Sequence, residues 1–232
     1  MKFKIFAIAV LSAFFGCNDT QNTSEKPSFE FENSQKESVE QLDTAHKIAN
    51  ANGFENWNDV NTIAFTFNVD RNGEHFSRSW IWQPKTGAVK MRSGDDIVNY
   101  NRSKMDSVAM KTDASLINDK YWLLAPFQIA WDEGTSFSEK QNVVAPISKD
   151  TLNQLTIVYG NDGGYTPGDA YDLFYDDNYK VREWNYRKAN APEPSLSTTW
   201  EAYKNYNGIE VSTMHKDESG SFKLYFTDIT VK

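Results

Sequence analysis

Apolar and polar positions alternate along much of this chain, which is the pattern of β-strands that bury one face and expose the other. The clearest strand covers residues 63–69, whose apolar side chains are Ile63, Phe65, Phe67 and Val69. The stretch 70–73, Asp-Arg-Asn-Gly, then predicts a tight hairpin turn. Further strands are predicted near residues 76–82, 88–92, 96–102, 151–159, 170–176, 179–188, 197–206, 209–215 and 221–230.

Two segments instead have apolar residues at spacings of three and four, which predicts helices. The first covers residues 37–50, and the pair Asn52-Gly53 marks its end. The second is an insert near residues 115–131. Its helix is expected to end before Pro126, because proline lacks the N–H group that a helix interior uses.

The order of these elements predicts an α+β domain that is mostly β. A helix is followed by about four or five strands, a second helix and about six more strands, and consecutive antiparallel strands of this number curl into a sandwich or a barrel. Aromatic residues make up 14% of the chain, and they are enriched in strands. We expect one β-rich domain over residues 36–232, which is long enough to bury a core.

The N-terminus has a different pattern. A continuous apolar run, residues 5–15, follows two lysines and precedes Gly16. A short basic region, an apolar run of about a dozen residues and a small residue are the marks of a secretory signal peptide, whereas a membrane span needs about 20 apolar residues. We therefore predict a signal peptide over residues 1–16. Residues 18–35 are polar and aperiodic, which predicts a flexible tether to the domain.

Cys17, the only cysteine of the chain, follows Gly16 directly. The stretch 11–17, Leu-Ser-Ala-Phe-Phe-Gly-Cys, resembles the lipobox of bacterial lipoproteins, although Phe14 stands where leucine or valine is usual. The resemblance implies that the Cys17 thiol is acylated and that two or more acyl chains anchor the protein in a membrane. An ordinary signal peptide with a cysteine near its cleavage site is the alternative. By the sorting rule of enteric bacteria, Asn18 in place of aspartate implies the outer membrane.

Two longer stretches carry a second resemblance. They are residues 45–68, AHKIANANGFENWNDVNTIAFTFN, and residues 118–132, NDKYWLLAPFQIAWD. With the lipobox, they resemble a family of small, uncharacterised envelope lipoproteins of Gram-negative bacteria, which in turn is similar in layout to the lipoprotein carriers LolA and LolB. The resemblance implies a strongly curved antiparallel sheet of about 10–11 strands, forming an unclosed barrel whose open mouth the helices cover. It also implies a concave apolar face that holds acyl chains.

We therefore expect a lipid-anchored envelope protein that binds a lipid or another hydrophobic molecule in the concave face of a half-barrel. The candidate ligand-lining residues are large apolar side chains of the strands and the second helix, namely Phe65, Phe67, Trp80, Trp82, Tyr121, Trp122, Leu124, Phe127 and Trp131. Alternating aromatics also build packed cores, so a structural or protein-interaction module with a filled interior is the alternative. A hydrolase with two carboxylates from distant positions is a less favoured one.

Charge and motifs narrow the chemistry further. Without the two lysines of the signal peptide, 22 basic residues face 32 acidic ones, so nucleic acid is not an expected partner. The histidines His46, His75 and His215 lack the spacing of a zinc site and are predicted to be exposed. The oxygen-rich loop 161–169 lacks the closing glutamate of a calcium loop, so a wide hairpin turn is the preferred interpretation. Catalytic motifs are absent, and we expect no catalytic site, metal or cofactor.

Overall fold

The structure of this protein is a computed structural model that describes residues 43–161 and 167–232. The predicted signal peptide, Cys17, the tether and the first residues of the predicted N-terminal helix lie outside the described residues. Residues 162–166, the centre of the loop for which calcium binding was weighed, lie outside them as well.

Two α-helices and thirteen strands make up the described part of the chain. The helices are α1 (Thr44–Ala51) and α2 (Ser107–Trp131), and short 3₁₀ turns cover Phe54–Asp59 and Lys188–Asn190. The strands are β1 (Ile63–Arg71), β2 (Glu74–Gln83), β3 (Ala88–Ser93), β4 (Asp96–Asn101), β5 (Thr135–Val144), β6 (Thr151–Tyr159), β7 (Ala170–Tyr175), β8 (Val181–Arg187), β9 (Leu196–Thr199), β10 (Lys204–Tyr206), β11 (Ile209–Val211), β12 (Met214–Lys216) and β13 (Phe222–Val231).

The strands form two main antiparallel sheets and one short hairpin. The first sheet has the order β12-β13-β1-β2-β3-β4, the second sheet has the order β5-β6-β7-β8-β9, and β10 pairs with β11. Neither main sheet closes on itself within the described residues, so the predicted α+β class with an unclosed antiparallel architecture is confirmed. The strands are divided between two main sheets, whereas one continuous curved sheet was expected.

Three differences raise the strand number above the expected ten or eleven. The predicted strand 197–206 is interrupted between β9 and β10, where Ala202 has a φ of 54°, outside the range of strands. The predicted strand 209–215 is likewise divided into β11 and β12. β5 has no predicted counterpart, because it is a mostly exposed edge strand with the sequence TSFSEKQNVV. A strand without a buried face lacks the alternation on which the prediction depends.

The hairpin turn between β1 and β2 has the predicted position. Arg71 pairs with Glu74, and Asn72 and Gly73 between them have φ values of 54° and 82°. Positive φ at both central residues defines a type I′ turn, whose twist matches that of the two strands. Local turn chemistry is therefore sufficient to place this reversal.

α1 ends at the predicted Asn52-Gly53 pair. Gly53 has a φ of +87°, and a β-carbon at this position would lie 1.9 Å from the carbonyl oxygen of Gly208. The glycine therefore permits both the left-handed conformation and a close approach to the β10–β11 hairpin. At the other end, the Asp43 carboxylate accepts a hydrogen bond from the backbone N–H of His46 at 2.8 Å and caps the helix.

α2 is longer than predicted. It begins at Ser107 after an Asp106 cap, and it continues through Pro126 to residue 131, so the prediction that the helix ends before this proline is wrong. The proline deprives only the carbonyl of Trp122, four residues earlier, of its helical hydrogen bond. The residues on both sides of the proline are buried, and this packing outweighs the loss of one hydrogen bond.

α2 contributes to both hydrophobic cores. The first core cluster combines α2 with β1, β2, β3, β11 and β13, and the second combines it with α1, β6, β7 and β8. Leu116, Leu124 and Phe127 of the helix belong to the first cluster. Tyr121 and Ile129 belong to the second. Neither described helix is long and apolar enough to cross a lipid bilayer.

Candidate functional site

A cleft with aromatic walls, here called the aromatic cleft, lies between the first half of α2 and strands β7, β8 and β9 of the second sheet. Its volume is about 430 Å³. The helix contributes residues at spacings of three and four, which lie on one face. The described lining residues are Ala114, Ile117, Asn118, Tyr121, Trp122, Tyr171, Trp184, Tyr186 and Leu196.

The rings of the aromatic cleft contact one another and form a continuous surface. The ring centroids of Tyr121 and Tyr171 are 4.7 Å apart, and those of Trp122 and Trp184 are 4.6 Å apart. Tyr171 also lies 5.0 Å from Trp184 and 5.3 Å from Tyr186. Rings that pack against each other in this way hold the wall in place, so the cleft is preformed.

The phenol groups of the aromatic cleft are uncharged. The Tyr186 hydroxyl donates a hydrogen bond of 2.8 Å to Asp169, and burial and this carboxylate raise the pKa of Tyr186 to about 12. Burial likewise raises the pKa of Tyr121, whose hydroxyl lies 3.0 Å from that of Tyr159. The walls therefore offer apolar surface without charge at neutral pH, which suits a hydrophobic molecule.

Two buried ion pairs hold α2 against the first sheet. The Asp119 carboxylate accepts hydrogen bonds of 2.8 Å from Arg78 through two nitrogens and one of 2.8 Å from Trp80 Nε1. About one and a half helical turns before Asp119, the Asp113 carboxylate accepts a hydrogen bond of 2.9 Å from Arg102. These contacts fix the side of α2 that faces away from the aromatic cleft. They hold the helix against the first sheet.

Lys120 of α2 is buried, and its ammonium group faces Trp82 of the first sheet. Its ammonium group donates a hydrogen bond of 2.7 Å to Gln128 and lies 5.4 Å from the centre of the Trp82 ring. Burial lowers the pKa of Lys120 to about 8, and the nearby Asp132 opposes this shift. The space between α2 and the first sheet is therefore filled by packed side chains.

The nine candidate ligand residues fall into two groups. Tyr121 and Trp122 line the aromatic cleft. Six others are buried in the first core cluster, and these are Phe65, Phe67, Trp80, Trp82, Leu124 and Phe127. Trp131 packs against that cluster from its edge, with its ring 4.8 Å from that of Trp57. Of the nine candidates, only Tyr121 and Trp122 therefore lie where a ligand could contact them.

The other residues of the aromatic cleft were not among the nine candidates, although the sequence pattern of β7 and β8 contains some evidence for them. Tyr171 alternates with Leu173 along β7, and Trp184 alternates with Tyr186 along β8. The same alternation occurs in β1 and β2, whose aromatic residues are packed. The pattern therefore identifies inward-facing aromatics but does not distinguish a covered strand from an uncovered one.

The predicted exposure of the three histidines is correct for two of them. His46 and His75 are exposed, and each lies within hydrogen-bond distance of an aspartate. The prediction for His215 is wrong, since its ring is fully buried against Trp122 and Trp200. Burial lowers the pKa of His215 to about 3 and outweighs the backbone carbonyls of Thr199 and Trp122, which favour the charged form. β12 carries this residue inward after the break that divides the predicted strand.

A second cleft of about 490 Å³ is polar and gathers four carboxylates, those of Asp43, Glu139, Asp176 and Asp177. For Asp43, burial raises the pKa, but hydrogen bonds from His46 outweigh this effect and leave it below its usual value. Hydrogen bonds from Lys180 and Arg182 do the same for Asp176. A general acid needs a raised pKa, so these two carboxylates do not fit the acid of a hydrolase. Within the described ranges no three His, Cys, Asp or Glu side chains are placed so that they could hold a metal ion together.

No protein-family model matches this sequence, and no curated protein matches it. Among solved structures, a LolA superfamily protein from Nitrosomonas europaea is similar, with 11% identity and a TM-score of 0.48 over 82% of this chain and 94% of that chain. A DUF1329 family protein from Desulfovibrio piger has 9% identity and a TM-score of 0.44 over 82% and 94%. A domain from Vibrio parahaemolyticus, named for outer membrane lipoprotein sorting, has 10% identity and a TM-score of 0.44 over 82% and 91%.

A LolA superfamily protein, the kind of protein named in the sequence resemblance, is thus among the solved structures to which this chain is similar. With identities of 9 to 11% and TM-scores below 0.5, these similarities say nothing about what this chain binds.

Proposed function

We propose that this protein binds a lipid or another hydrophobic small molecule in the aromatic cleft and that it has no catalytic role. The observation that carries the proposal is an open cleft of about 430 Å³ that is walled by uncharged aromatic rings. Ligand pockets of small molecules have volumes of about 300–1,000 Å³ and mostly apolar walls. The rings of Tyr121, Trp122, Tyr171 and Trp184, which contact one another, would together form the aromatic surface that contacts the ligand.

Filling the cleft tests this proposal. Ala114→Trp places an indole among the lining residues, and we expect the affinity for the uncharged dye N-phenyl-1-naphthylamine to fall about tenfold or more, because the ligand's space is occupied. Dye fluorescence measures the affinity. The matched control is Met110→Trp, at an exposed position of the same helix, which keeps the affinity of the unaltered protein. Equal affinities of the two variants would contradict the proposal.

The alternative of a structural or protein-interaction module draws support from the filled space between α2 and the first sheet. Native mass spectrometry of the purified protein, followed by lipid extraction, separates the two functions. A retained hydrophobic molecule supports ligand binding. An empty protein that also fails to bind the dye supports the interaction module. The carboxylate-based hydrolase has weaker support, because the two carboxylates of the polar cleft with shifted pKa values are both more acidic than usual.

We further propose that acyl chains on Cys17 anchor the protein in the outer membrane and that residues 18–35 form the tether. The support is the sequence pattern around the cysteine. Dual acylation makes a stable anchor, whereas a single chain binds a membrane only marginally.

Metabolic labelling tests the anchor separately from the cleft. Cells that express the unaltered protein are expected to incorporate labelled palmitate into it, and Cys17→Ser is expected to abolish the label, because the thiol is the acceptor. Ala114→Trp serves as the control and keeps the label. Undiminished labelling of the serine variant would refute lipidation at Cys17.

A further inference from the structure

Four residues with buried polar side-chain atoms, Trp184, Thr198, Trp200 and His215, lie side by side next to the aromatic cleft. Trp184 Nε1, Thr198 Oγ1 and Trp200 Nε1 have no hydrogen-bond partner within the described residues, whereas the ring of His215 lies near the backbone carbonyls of Thr199 and Trp122. Trp184 and Thr198 are partners across β8 and β9. The Trp184 ring lies 5.2 Å from that of Trp200, which lies 4.5 Å from that of His215. Buried polar groups without partners are rare and costly, so their clustering calls for an explanation.

This group of four residues is continuous with the aromatic cleft. Trp184 itself lines the cleft. Leu196, another lining residue, and Thr198 are two places apart in β9, so they point to the same side of the sheet. Both groups are fully buried and Thr198 does not itself line the cleft, so an oxygen atom of a bound molecule would reach them once the side chains that cover them move aside. An oxygen atom at that place would satisfy a donor that the protein leaves unpaired.

The group of four supplies hydrogen-bond donors but no positive charge. Its ring contacts are with other aromatic side chains, including Trp122 and Phe226. His215 is its only titratable member, and burial keeps that ring neutral by lowering its pKa to about 3. An ionised ligand group placed here would lose its hydration without gaining an opposite charge, which is strongly unfavourable. An uncharged oxygen acceptor avoids this cost.

We propose that Trp184 Nε1 and the Thr198 hydroxyl hydrogen-bond the polar group of the bound molecule, so that the cleft selects an uncharged amphiphile with an ester or alcohol oxygen over an ionised one. The inference rests on the proposed function of the aromatic cleft. Trp184 and Thr198 are specificity-determining residues in this scheme, and the remaining lining residues hold the apolar part.

The test compares two ligands with the same chain length, methyl decanoate and decanoate. Each displaces N-phenyl-1-naphthylamine from the full-length protein at neutral pH, where decanoate is ionised. We expect the ester to bind about tenfold or more tightly than the carboxylate. In Trp184→Phe and Thr198→Val, the affinity for the ester is expected to fall about threefold to tenfold, because one hydrogen bond is lost. The ratio of the ester affinity to the dye affinity is expected to fall in each variant, and circular dichroism shows separately that the variants are folded.

The controls remove similar groups elsewhere. Thr112→Val removes a buried hydroxyl that donates a hydrogen bond to the carbonyl of Val108 within α2. Trp57→Phe replaces an indole that packs against the first core cluster with a smaller ring. Both variants are expected to keep the preference for the ester. Thr198→Val alone decides the outcome if Trp184→Phe does not fold. The inference is overturned if the carboxylate binds as tightly as the ester, or if both variants keep the full affinity for the ester while the dye binds. If neither the dye nor the ester binds the unaltered protein, the proposed function itself fails.

Discussion

Asp119→Ala is expected to lower the free energy of unfolding by about 3 kcal/mol, the cost of breaking a buried ion pair by removing one partner. The Asp119 side chain is fully buried and accepts hydrogen bonds from Arg78 and Trp80. Alanine leaves a guanidinium and an indole N–H without their acceptor in a largely dry place, and this unpaired charge accounts for most of the loss. Urea denaturation monitored by circular dichroism measures the difference.

Two further variants separate the effect of the lost charge from that of the lost acceptor and compare the buried ion pair with an exposed one. Asp119→Asn keeps an oxygen acceptor for Trp80 but removes the charge that pairs with Arg78, so its loss lies between zero and that of the alanine variant. Lys149→Ala breaks an exposed ion pair with Glu218 and is expected to change the stability by less than about 0.5 kcal/mol. If Asp119→Ala were as mild as Lys149→Ala, the buried pair would not hold α2 in place.

The second large effect is a loss of stability in mild acid that depends on His215. In the folded protein burial lowers the pKa of this histidine to about 3, whereas the unfolded chain takes up the proton near 6.5. Below 6.5 the unfolded state therefore binds the extra proton and is favoured. Each pH unit costs about 1.4 kcal/mol, so the unfolding free energy is expected to fall by about 2 kcal/mol between pH 6.5 and 5.

Urea denaturation at several pH values between 5 and 7 tests this effect. His215→Gln is expected to lose the slope of about one proton, whatever its stability at pH 7, because the titrating group is gone. His46→Gln removes an exposed histidine and serves as the control that retains the slope. The range above pH 5 avoids the titration of most carboxylates. An unaltered slope in the His215 variant would show that another group is responsible.

The two predictions concern neighbouring parts of one arrangement. Asp113 and Asp119 hold the first half of α2 against the first sheet, and the opposite face of the same helix forms the wall of the aromatic cleft. Below that wall, Trp122 contacts the buried His215. The aromatic cleft thus lies beside a helix that polar contacts fix to the first sheet and that aromatic rings join to β7 and β8.

Local features of the sequence account for much of the fold. The alternation in residues 63–69 predicts β1, and Asn72-Gly73 predicts the turn after it. Asn52-Gly53 marks the end of α1. These features depend on the pleat of a strand and on the conformations open to glycine and asparagine, which are properties of short segments. The mixed α+β class follows from their order along the chain.

Other features depend on residues that are distant in the sequence, and here local patterns mislead. α2 continues through Pro126 because packing on both sides compensates for one lost hydrogen bond. β5 pairs with β6 at the edge of the second sheet although it has no buried face. His215 reads as a polar residue near the end of a strand, but β12 carries it into the core.

The sequence pattern by itself determined a mostly antiparallel β domain with two helices and many inward-facing aromatic residues, and the family resemblance added that the sheet is unclosed. The pattern could not determine which of these aromatics remain beside open space. Trp80 and Trp184 alternate in the same way along their strands, yet Trp80 is packed in the first core cluster and Trp184 lines the aromatic cleft. The position of α2 in the fold decides this difference, and pairs such as Arg78 and Asp119, 41 residues apart in the chain, hold the helix in that position. Such a pairing is a property of the folded chain alone.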